Sequence, residues 1–539
     1  MKGFITIVAV LFASSLLFCQ ESEFLRGKLL DAQTQEPIPF ATLRIKGKSL
    51  GVITNEDGGF RFPMEYRIEG DTILISSMGY LKREIPLLNL SSSNINLVRL
   101  SPGIFQLDDV VLKSDRKKKK PSAAQIVQYA IENIPRNYPK NKFSLVGYYR
   151  DYQEKKGEYV NLNEAIVEIR DGGFMEANNF RADFLLYSRQ KNEDFTVDPF
   201  MAKPYDYKTG DKVIPSATMF NSGGNELFTL IIHDAIRNYK EESFSFIDKM
   251  ETDFVTNHKF HLIRTTVCNT QAVYEIGIRY RKNGYLGKGK IYIGKENYAI
   301  HKLDYSLFIY RLMTPSGSDR ASSNGAHFKE EDSDAGLVYQ VTTEYLPGED
   351  QKMYLNYISF RNKFILRRPP IFSTAKFAID LNDTCFKVTL NRKPHKLEKL
   401  KPKDFVFNYK GKHLPIEKFH FVEDSLRFWI YPDKSVKSLR TEMKELFTET
   451  ESMQISHFQY AFNGIKDSLG NVLDERQSEH LEQYREFFVQ EVQDFPYADT
   501  KETVFMRKNA PIFSPLQPVY LRNRLDRYWM NTPLQEKLP

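Results

Sequence analysis

Two short stretches carry residue types that could bind an ion. The first, residues 54–62 (TNEDGGFRF), combines acidic side chains with glycines, as calcium loops and phosphate cradles do. An EF-hand loop with its invariant glycine at Gly58 would need acidic ligands where Ile53 and Met64 stand. A P-loop would need Gly-Lys-Ser/Thr after the glycines, and the sequence does not have it. We therefore predict a hairpin turn, because glycine adopts positive φ at no steric cost.

The second stretch holds the closest pair of histidines, His258 and His261. A strand would place them on opposite faces, and no carboxylate stands at metal-ligand spacing. The sequence also has no nucleophile elbow, Walker loop, dinucleotide fingerprint or CxxC pair. We expect no enzyme activity, no metal and no cofactor. A hydrolase without a short motif stays open as an alternative.

The chain begins with the features of a secretory signal peptide. A basic residue, Lys2, precedes an apolar run at 3–18, and the sequence becomes polar from Gln20. We predict a signal peptide at 1–19 and a soluble mature chain. Cys19 would be lipidated only after a small residue, and Phe18 is bulky, so lipidation and an uncleaved anchor are the less favoured alternatives.

Composition favours several β-rich cores. The 539 residues include 40 Phe and 30 Tyr, and the 76 basic side chains only slightly exceed the 69 acidic ones. Much of the excess lies at 113–120 (KSDRKKKK). In an exported protein this run predicts a solvated linker or a contact with anionic lipid, and not nucleic-acid binding. The candidate lipid contacts are Arg116, Lys117, Lys118, Lys119 and Lys120.

Cys268 and Cys385 could form one disulfide, but two buried thiols are preferred.

The first hundred residues resemble a known domain. GKLLDAQTQEPIPFATLRIKGKSLGVITNEDGGFRF followed by TILISSMGYLKREIPL resembles the carboxypeptidase regulatory-like domain of secreted, Bacteroidetes-type envelope proteins. The resemblance implies a transthyretin-like, seven-stranded β-sandwich without catalytic residues, over residues 21–100. Beyond this domain the chain resembles only uncharacterised envelope proteins.

A short strand is expected just after that domain, within a strand and basic linker at 101–121. Residues 107–112 (LDDVVL) resemble an element that follows this domain in TonB-dependent outer-membrane receptors, near the segment that contacts TonB. Such a strand can add to a sheet edge. We expect it to dock on this protein's own sandwich or central sheet, and recruitment of a partner is the alternative. The candidate residues are Leu107, Val110, Val111 and Leu112.

The remaining sequence predicts three further regions, so that the chain is mainly β and multidomain. Residues 122–366 begin with a helix capped by Ser122 and Gln125 and continue as long alternating strands of a central antiparallel sheet. One hairpin there is similar to hairpins in the curved sheets of periplasmic lipoprotein carriers. Residues 367–475 resemble a bacterial Ig-like sandwich, with a closing turn at 465–473. Residues 476–539 are predicted to form a helix and an extended tail. The apolar face of that helix would hold Leu481, Tyr484, Phe488 and Val492.

Taken together, these features predict an exported protein of the periplasm or outer membrane. The leading hypothesis is a non-catalytic protein that binds a protein or glycan partner through its β-sandwich modules. The alternatives are a carrier of a lipid or apolar ligand in a curved central sheet, and an unrecognised hydrolase.

The export hypothesis predicts the mass of the mature protein. Because Phe18 disfavours lipidation, the purified mature chain should begin near Gln20, as measured by intact mass and N-terminal peptide mapping. A diacylglyceryl group on Cys19 would contradict this expectation.

Overall fold

The structure is a computed structural model. It describes residues 24–48, 50–103, 120–155, 158–177, 180–192, 195, 197–206, 208–215, 225–242, 247–268, 271–309, 336–448, 457–495, 503–520 and 527–534. The predicted signal peptide lies outside them. The fold is mainly β, as predicted, with 49% of residues in strands and 12% in helices. In this described part, no helix is both long and apolar enough to cross a membrane.

The chain divides into two compact units. The first comprises Met1–Ala202, Ile214–Phe364 and Leu481–Pro539, and the second comprises Lys203–Val213 and Ile365–His480.

The N-terminal domain of the first unit has the seven strands that the resemblance implied. They are β1 (Phe24–Asp31), β2 (Thr42–Ile45), β3 (Gly51–Ile53), β4 (Gly59–Pro63), β5 (Thr72–Ser76), β6 (Arg83–Pro86) and β7 (Asn96–Leu100). One sheet has the order β4-β1-β7 and the other β3-β2-β5-β6, and a short helix, α1 (Met64–Ile68), follows β4. Alternate residues such as Leu29 and Leu43 are fully buried between the sheets, as expected for strands with one face inward.

The stretch TNEDGGFRF forms a tight turn. Gly58 has a φ of +75°, its N–H donates to Asn55 O at 2.9 Å, and Asn55 N–H donates to Gly59 O at 2.8 Å. The predicted turn is confirmed. The prediction of a hairpin is wrong, because β3 pairs with β2 whereas β4 pairs with β1. The turn therefore joins the two sheets of the sandwich.

The main body of the first unit is one large sheet. Its strands are β8 (Phe143–Lys155), β9 (Glu158–Asp171), β10 (Asp183–Lys191), β12 (Lys259–Cys268), β13 (Gln271–Lys282), β14 (Tyr285–Gly294), β15 (Ile300–Ile309), β16 (Leu337–Pro347), β17 (Met353–Arg367) and β25 (Ser478–Asp494). Their order is β10-β9-β8-β25-β17-β16-β15-β14-β13-β12. A two-residue strand, β11 (Lys212–Val213), pairs with the end of β17. The long alternating strands predicted for this region are confirmed.

The predicted C-terminal helix is wrong. The residues assigned to it lie in β25, a 17-residue strand between β8 and β17. Phe487 and Val489 are buried on one face of the sheet and Glu486 and Phe488 on the other. Because both faces are covered, apolar residues occur without strict alternation, and the sequence imitates helical periodicity.

Helices cover one face of the large sheet. They are α2 (Ala123–Glu132), α3 (Ile134–Asn137), α4 (Glu226–Ile231) and α5 (Phe254–Asn257). Ser122 and Gln125 form the predicted capping box at the start of α2. Helix α4 ends at Ile231. The Asp234 carboxylate accepts hydrogen bonds from two following backbone N–H groups, which favours a turn there.

The N-terminal sandwich covers the opposite face of the large sheet. Phe40 of the sandwich stacks on Tyr357 of β17, with ring centroids 5.3 Å apart, and lies 6.2 Å from the ring of Phe488 of β25. Val146 and Tyr148 of β8 belong to the same hydrophobic cluster. The middle strands are therefore buried on both sides.

The second unit contains a two-sheet sandwich in the region predicted to be Ig-like. Its strands are β18 (Thr374–Asp380), β19 (Cys385–Leu390), β20 (Phe405–Tyr409), β21 (Lys412–Leu414), β22 (Ile416–Val422), β23 (Arg427–Pro432) and β24 (Phe458–Phe462), with a helix α6 (Arg440–Leu446) before the last. The sheets have the orders β18-β19-β23-β22 and β21-β20-β24. The first order corresponds to the ABED sheet of immunoglobulin domains. Phe386 stacks on Phe407 between the sheets at 4.5 Å.

Two further predictions are confirmed. The turn near the end of the second unit forms around Asp467, whose carboxylate accepts from the N–H groups of Leu469 and Asn471, each at 2.9 Å. Cys268 and Cys385 are both buried free thiols.

Gly147 of β8 offers a test of the β25 placement. A methyl group there would overlap the Phe488 carbonyl oxygen and lie 2.7 Å from the Phe487 ring. Gly147→Ala should therefore lower the free energy of unfolding by about 1–3 kcal/mol, measured by urea denaturation. Gly103→Ala is the control, because its added methyl would meet neighbours at an ordinary 3.6 Å. Equal stability of the two variants would contradict the placement.

Candidate functional site

Three neighbouring strands at one edge of the large sheet carry a concentration of cationic side chains. Cross-strand partners share a face, and the register pairs Lys259 with Arg279 and Arg279 with Lys288. We call the surface formed by these and their neighbours on β12, β13 and β14 the basic face. It consists of Lys259, His261, Arg264, Arg279, Arg281, Lys288 and Lys290, all exposed.

The sequence places these residues on one side by simple alternation. Arg279 and Arg281 are two positions apart on β13, as are Lys288 and Lys290 on β14, and residues at that spacing point to the same side of a strand. The opposite side of the same strands is apolar and packs under the helices, with Ile278 among its buried residues. Burial of one side thus fixes the cations on the other.

One carboxylate lies within the basic face, and it is the sole acidic residue of these three strands. Glu275 is only 1% exposed and binds Arg264 Nε at 2.6 Å and Lys290 Nζ at 2.8 Å. Burial opposes its ionisation, but the hydrogen bonds and charges of Lys290 and Arg264 outweigh this and lower the pKa of Glu275. Glu275 therefore stays ionised at neutral pH and holds two of the cations in place.

The charge pattern concentrates positive charge on one surface. Lys259, Arg279 and Lys288 lie directly opposite one another across three strands, about 5 Å apart from strand to strand. Three cations in opposed positions raise the positive potential above this surface, which attracts anions.

The two histidines of the sequence analysis have different environments. His258 is buried, with Nε2 at 2.9 Å from the Tyr305 hydroxyl, and burial lowers its pKa to about 4. His261 is exposed, and its ring covers Gly277, where a Cβ would overlap it. His258 is thus a structural residue, while His261 belongs to the basic face. Among the described residues, no group of three or more His, Cys, Asp or Glu could hold a metal ion.

A second polar cluster lies where the turn at 54–59 meets the large sheet. Arg150 of β8 is fully buried, and its guanidinium donates to the carboxylate of Glu486 on β25 and to the side-chain oxygen of Asn55. Asn531 donates to the same Asn55 oxygen at 3.2 Å. The turn therefore supplies one hydrogen-bond acceptor to a buried charge, which makes this cluster a structural joint.

Glu56, in this turn, lies in an environment that disfavours the ionised form of its carboxyl group. Burial, with the nearby carboxylates of Glu486 and Glu154, raises its pKa to about 7. One of its carboxyl oxygens is buried without a hydrogen-bond partner. Glu56 thus gains a proton in the folded protein at a pH where an exposed glutamate would have lost it.

A third candidate is a small pocket between the large sheet and its helices. Arg237 binds Asp171 through two nitrogens at 2.8 and 2.9 Å, and Tyr345 donates to Asp234 at 2.5 Å. Burial raises the pKa of Asp234 to about 6. The free space beside these groups holds roughly one water molecule. The polar groups that line the pocket form hydrogen bonds with one another. This region is therefore part of the packed core and not a ligand site.

Most site residues proposed from the sequence lie outside the described residues. These are Leu107, Val110, Val111 and Leu112 of the candidate strand and Arg116, Lys117, Lys118 and Lys119 of the basic run. Lys120 is described and is exposed just before α2. The basic face was not predicted from the sequence, although the alternating cations of RYRKNGYLGKGK (residues 279–290) are a signal for it.

Comparisons with known proteins identify the N-terminal domain. Residues 25–112 match the family model of the CarboxypepD_reg-like domain, which extends past the predicted end at residue 100 and includes the candidate strand. A comparison with curated proteins found no match.

Two solved structures show weak likeness. One is a LolA superfamily protein from Nitrosomonas europaea, with 10% identity over 45% of this chain and 86% of the other, at a TM-score of 0.19. The other is a DUF1329 family protein from Desulfovibrio piger, with 7% identity over 45% and 87% of the two chains, also at 0.19. At these scores the likeness supports no inference.

The raised pKa of Glu56 predicts a pH dependence. Between about pH 4.5 and 7 the folded protein holds a proton that the unfolded chain has released, so this residue makes stability fall as pH rises through that window. Glu56→Gln should remove up to about 3 kcal/mol of that fall, measured by urea denaturation at pH 5 and pH 8. The exposed Glu65→Gln is the control. A Glu56→Gln variant with the wild-type pH profile would contradict the assignment.

Proposed function

We propose that the chain is a non-catalytic protein of the cell envelope that binds an anionic glycan on the basic face. The observation that carries the proposal is the row of Lys259, Arg279 and Lys288 in directly opposed positions on three strands. Such a row concentrates positive potential on one surface, which favours a negatively charged partner. The envelope location rests on the predicted signal peptide.

The composition of the surface favours a glycan over a protein partner. The centres of protein interfaces are depleted in charged residues, lysine above all, and enriched in aromatic anchors. The basic face has the opposite character, with exposed lysine or arginine on each of its three strands. Its cations also repeat at regular intervals, which suits a chain that carries repeated negative charges. Binding to an acidic protein is therefore the less favoured alternative.

The carrier hypothesis gains no support from the helix side of the sheet. There the described helices bury Ile126, Leu227 and Phe254 against the strands, and the pocket described above has room for about one water molecule. An acyl chain would need these contacts to open.

A charge-reversal experiment tests the proposal. Dextran sulfate serves as the anionic probe and uncharged dextran as its control, with affinity measured by fluorescence anisotropy at several salt concentrations. We expect dextran sulfate to bind with an affinity that falls as salt rises, because the charges are exposed. Lys288→Glu should weaken binding at least about tenfold, which corresponds to 1.4 kcal/mol.

The matched control is Lys399→Glu, which makes the same change of net charge at an exposed lysine of the second unit. It should leave the affinity within about twofold of wild type. Lys288→Glu should not lower the melting temperature by more than a degree or so, because Lys288 is exposed and surface substitutions change stability little. The proposal is wrong if dextran sulfate does not bind, or if both variants weaken binding equally.

A further inference from the structure

The basic face continues across the large sheet as a row of polar side chains. The register pairs Lys288 with Ser306 and Ser306 with Gln340. It then pairs Gln340 with Arg361 of β17. Directly paired residues lie on the same face of a sheet, so these side chains extend the row that begins at Lys259. We call the paired residues the polar track: Lys259, Arg279, Lys288, Ser306, Gln340 and Arg361.

Every residue of the polar track is at least partly exposed. Tyr305 and Tyr339, which precede Ser306 and Gln340 in sequence, are buried under the helices on the other side of the sheet. The track crosses neighbouring strands from β12 to β17, which lie about 4.8 Å apart, so it spans about 24 Å. A small anion would contact only a part of this length, whereas a polymer could contact all of it.

The chemistry of the track changes along its length. Ser306 and Gln340 in the middle are uncharged, and the Gln340 amide donates to the Asp304 carboxylate at 3.1 Å. This carboxylate disfavours an anionic group over the middle of the track, where hydroxyl groups can bind instead. At the far end, Arg361 restores a positive charge. Its Nε binds Glu482 at 2.6 Å, and a guanidinium has five N–H donors, so it can bind a second acceptor as well.

The N-terminal sandwich limits the track on one side. It contacts the same face of the sheet through Phe40, whose ring stacks on Tyr357. Tyr357 and Arg361 lie on one side of β17, about 13 Å apart. The sandwich also reaches β12, where Gly79 N–H donates to Val267 O at 3.3 Å. A ligand running along the strands from the track towards Val267 would therefore meet the sandwich, whereas a ligand running across the strands would avoid these contacts.

We propose that the anionic glycan lies across the strands along the polar track, from Lys259 to Arg361. This inference rests on the proposed function and adds the direction, length and chemistry of the bound segment. The segment is about 24 Å long. It carries sulfate or carboxylate groups over the three cations of β12, β13 and β14, presents hydroxyl groups to Ser306 and Gln340, and binds Arg361 through a further anionic group.

Heparin fragments of two defined lengths test this path. The short fragment has an extended length of about 10 Å and can contact three strands, whereas the long one extends about 24 Å and can contact all six. Affinities are measured with the full chain by isothermal titration calorimetry. Arg361→Gln should weaken binding of the long fragment at least about threefold, because it removes a charge-assisted contact, and should leave the short fragment unchanged. Lys288→Glu should weaken both fragments, because both contact that residue.

The matched control is Arg136→Gln, which removes the same charge from an exposed position on α3, on the helix-covered side of the sheet. It should leave both affinities unchanged. Gln340→Ala keeps the net charge and provides a second variant, which should weaken only the long fragment. Melting temperatures verify that each variant folds.

The outcomes separate the polar track from the basic face. If neither fragment binds, or if Lys288→Glu weakens neither, the proposed function is wrong. The polar track alone is wrong if Lys288→Glu weakens both fragments but Arg361→Gln and Gln340→Ala affect the long fragment no more than Arg136→Gln does. Equal weakening of the short and long fragments by Arg361→Gln would also overturn the track, as would a long fragment that binds no more tightly than the short one.

Discussion

The buried guanidinium of Arg150 is the constraint on which the arrangement of the first unit depends. A fully buried charge is tolerated only when it is paired and hydrogen-bonded. Here one partner, Glu486, comes from β25, and the other, Asn55, comes from the turn of the N-terminal sandwich. Three parts of the chain that are far apart in sequence must therefore meet at one side chain.

This requirement explains why the turn carries the residues it does. Asn55 supplies the acceptor, and Gly58 supplies the positive φ that brings the chain back towards β4. Glu56 is carried into the same interface, where it is partly unpaired and its pKa is raised. The stretch whose residue types resemble an ion-binding loop therefore joins the N-terminal sandwich to the large sheet. The ionised form of Glu56 is disfavoured in this interface.

The C-terminal tail covers the outer edges of two sheets. On β10 of the large sheet, Met506 N–H donates to Phe184 O at 2.7 Å. The tail also covers β4 of the sandwich, where Asn531 accepts from Arg61 N–H at 2.7 Å and the Trp529 indole donates to Arg61 O at 2.8 Å. Side chains here replace a neighbouring strand and satisfy the edge without lengthening the sheet. The predicted extended tail therefore has a defined role, which its irregular sequence did not indicate.

The features that were predicted correctly from the sequence are those that depend on the pattern of neighbouring residues. Strands with one buried face, such as those containing Ile278 and Ile291, alternate clearly and were predicted, as were the capping box at Ser122 and the turn at Asp467. The strand β25 was mistaken for a helix because burial on both faces removes the alternation. The basic face was missed because its residues belong to three strands, and only the register brings Lys259 beside Arg279 and Lys288.

The position of β25 has a consequence for how the protein is made. It separates β8 from β17, and the ion pair that joins β25 to β8 links residues 336 positions apart. A ribosome or an export channel releases the N-terminal part first, so β8 and β17 emerge with open sides long before their common neighbour exists. Closure of such distant pairings is slow, and unpaired strands aggregate while they wait. The period before residues 478–494 emerge is therefore the one in which the unfinished sheet is most exposed to aggregation.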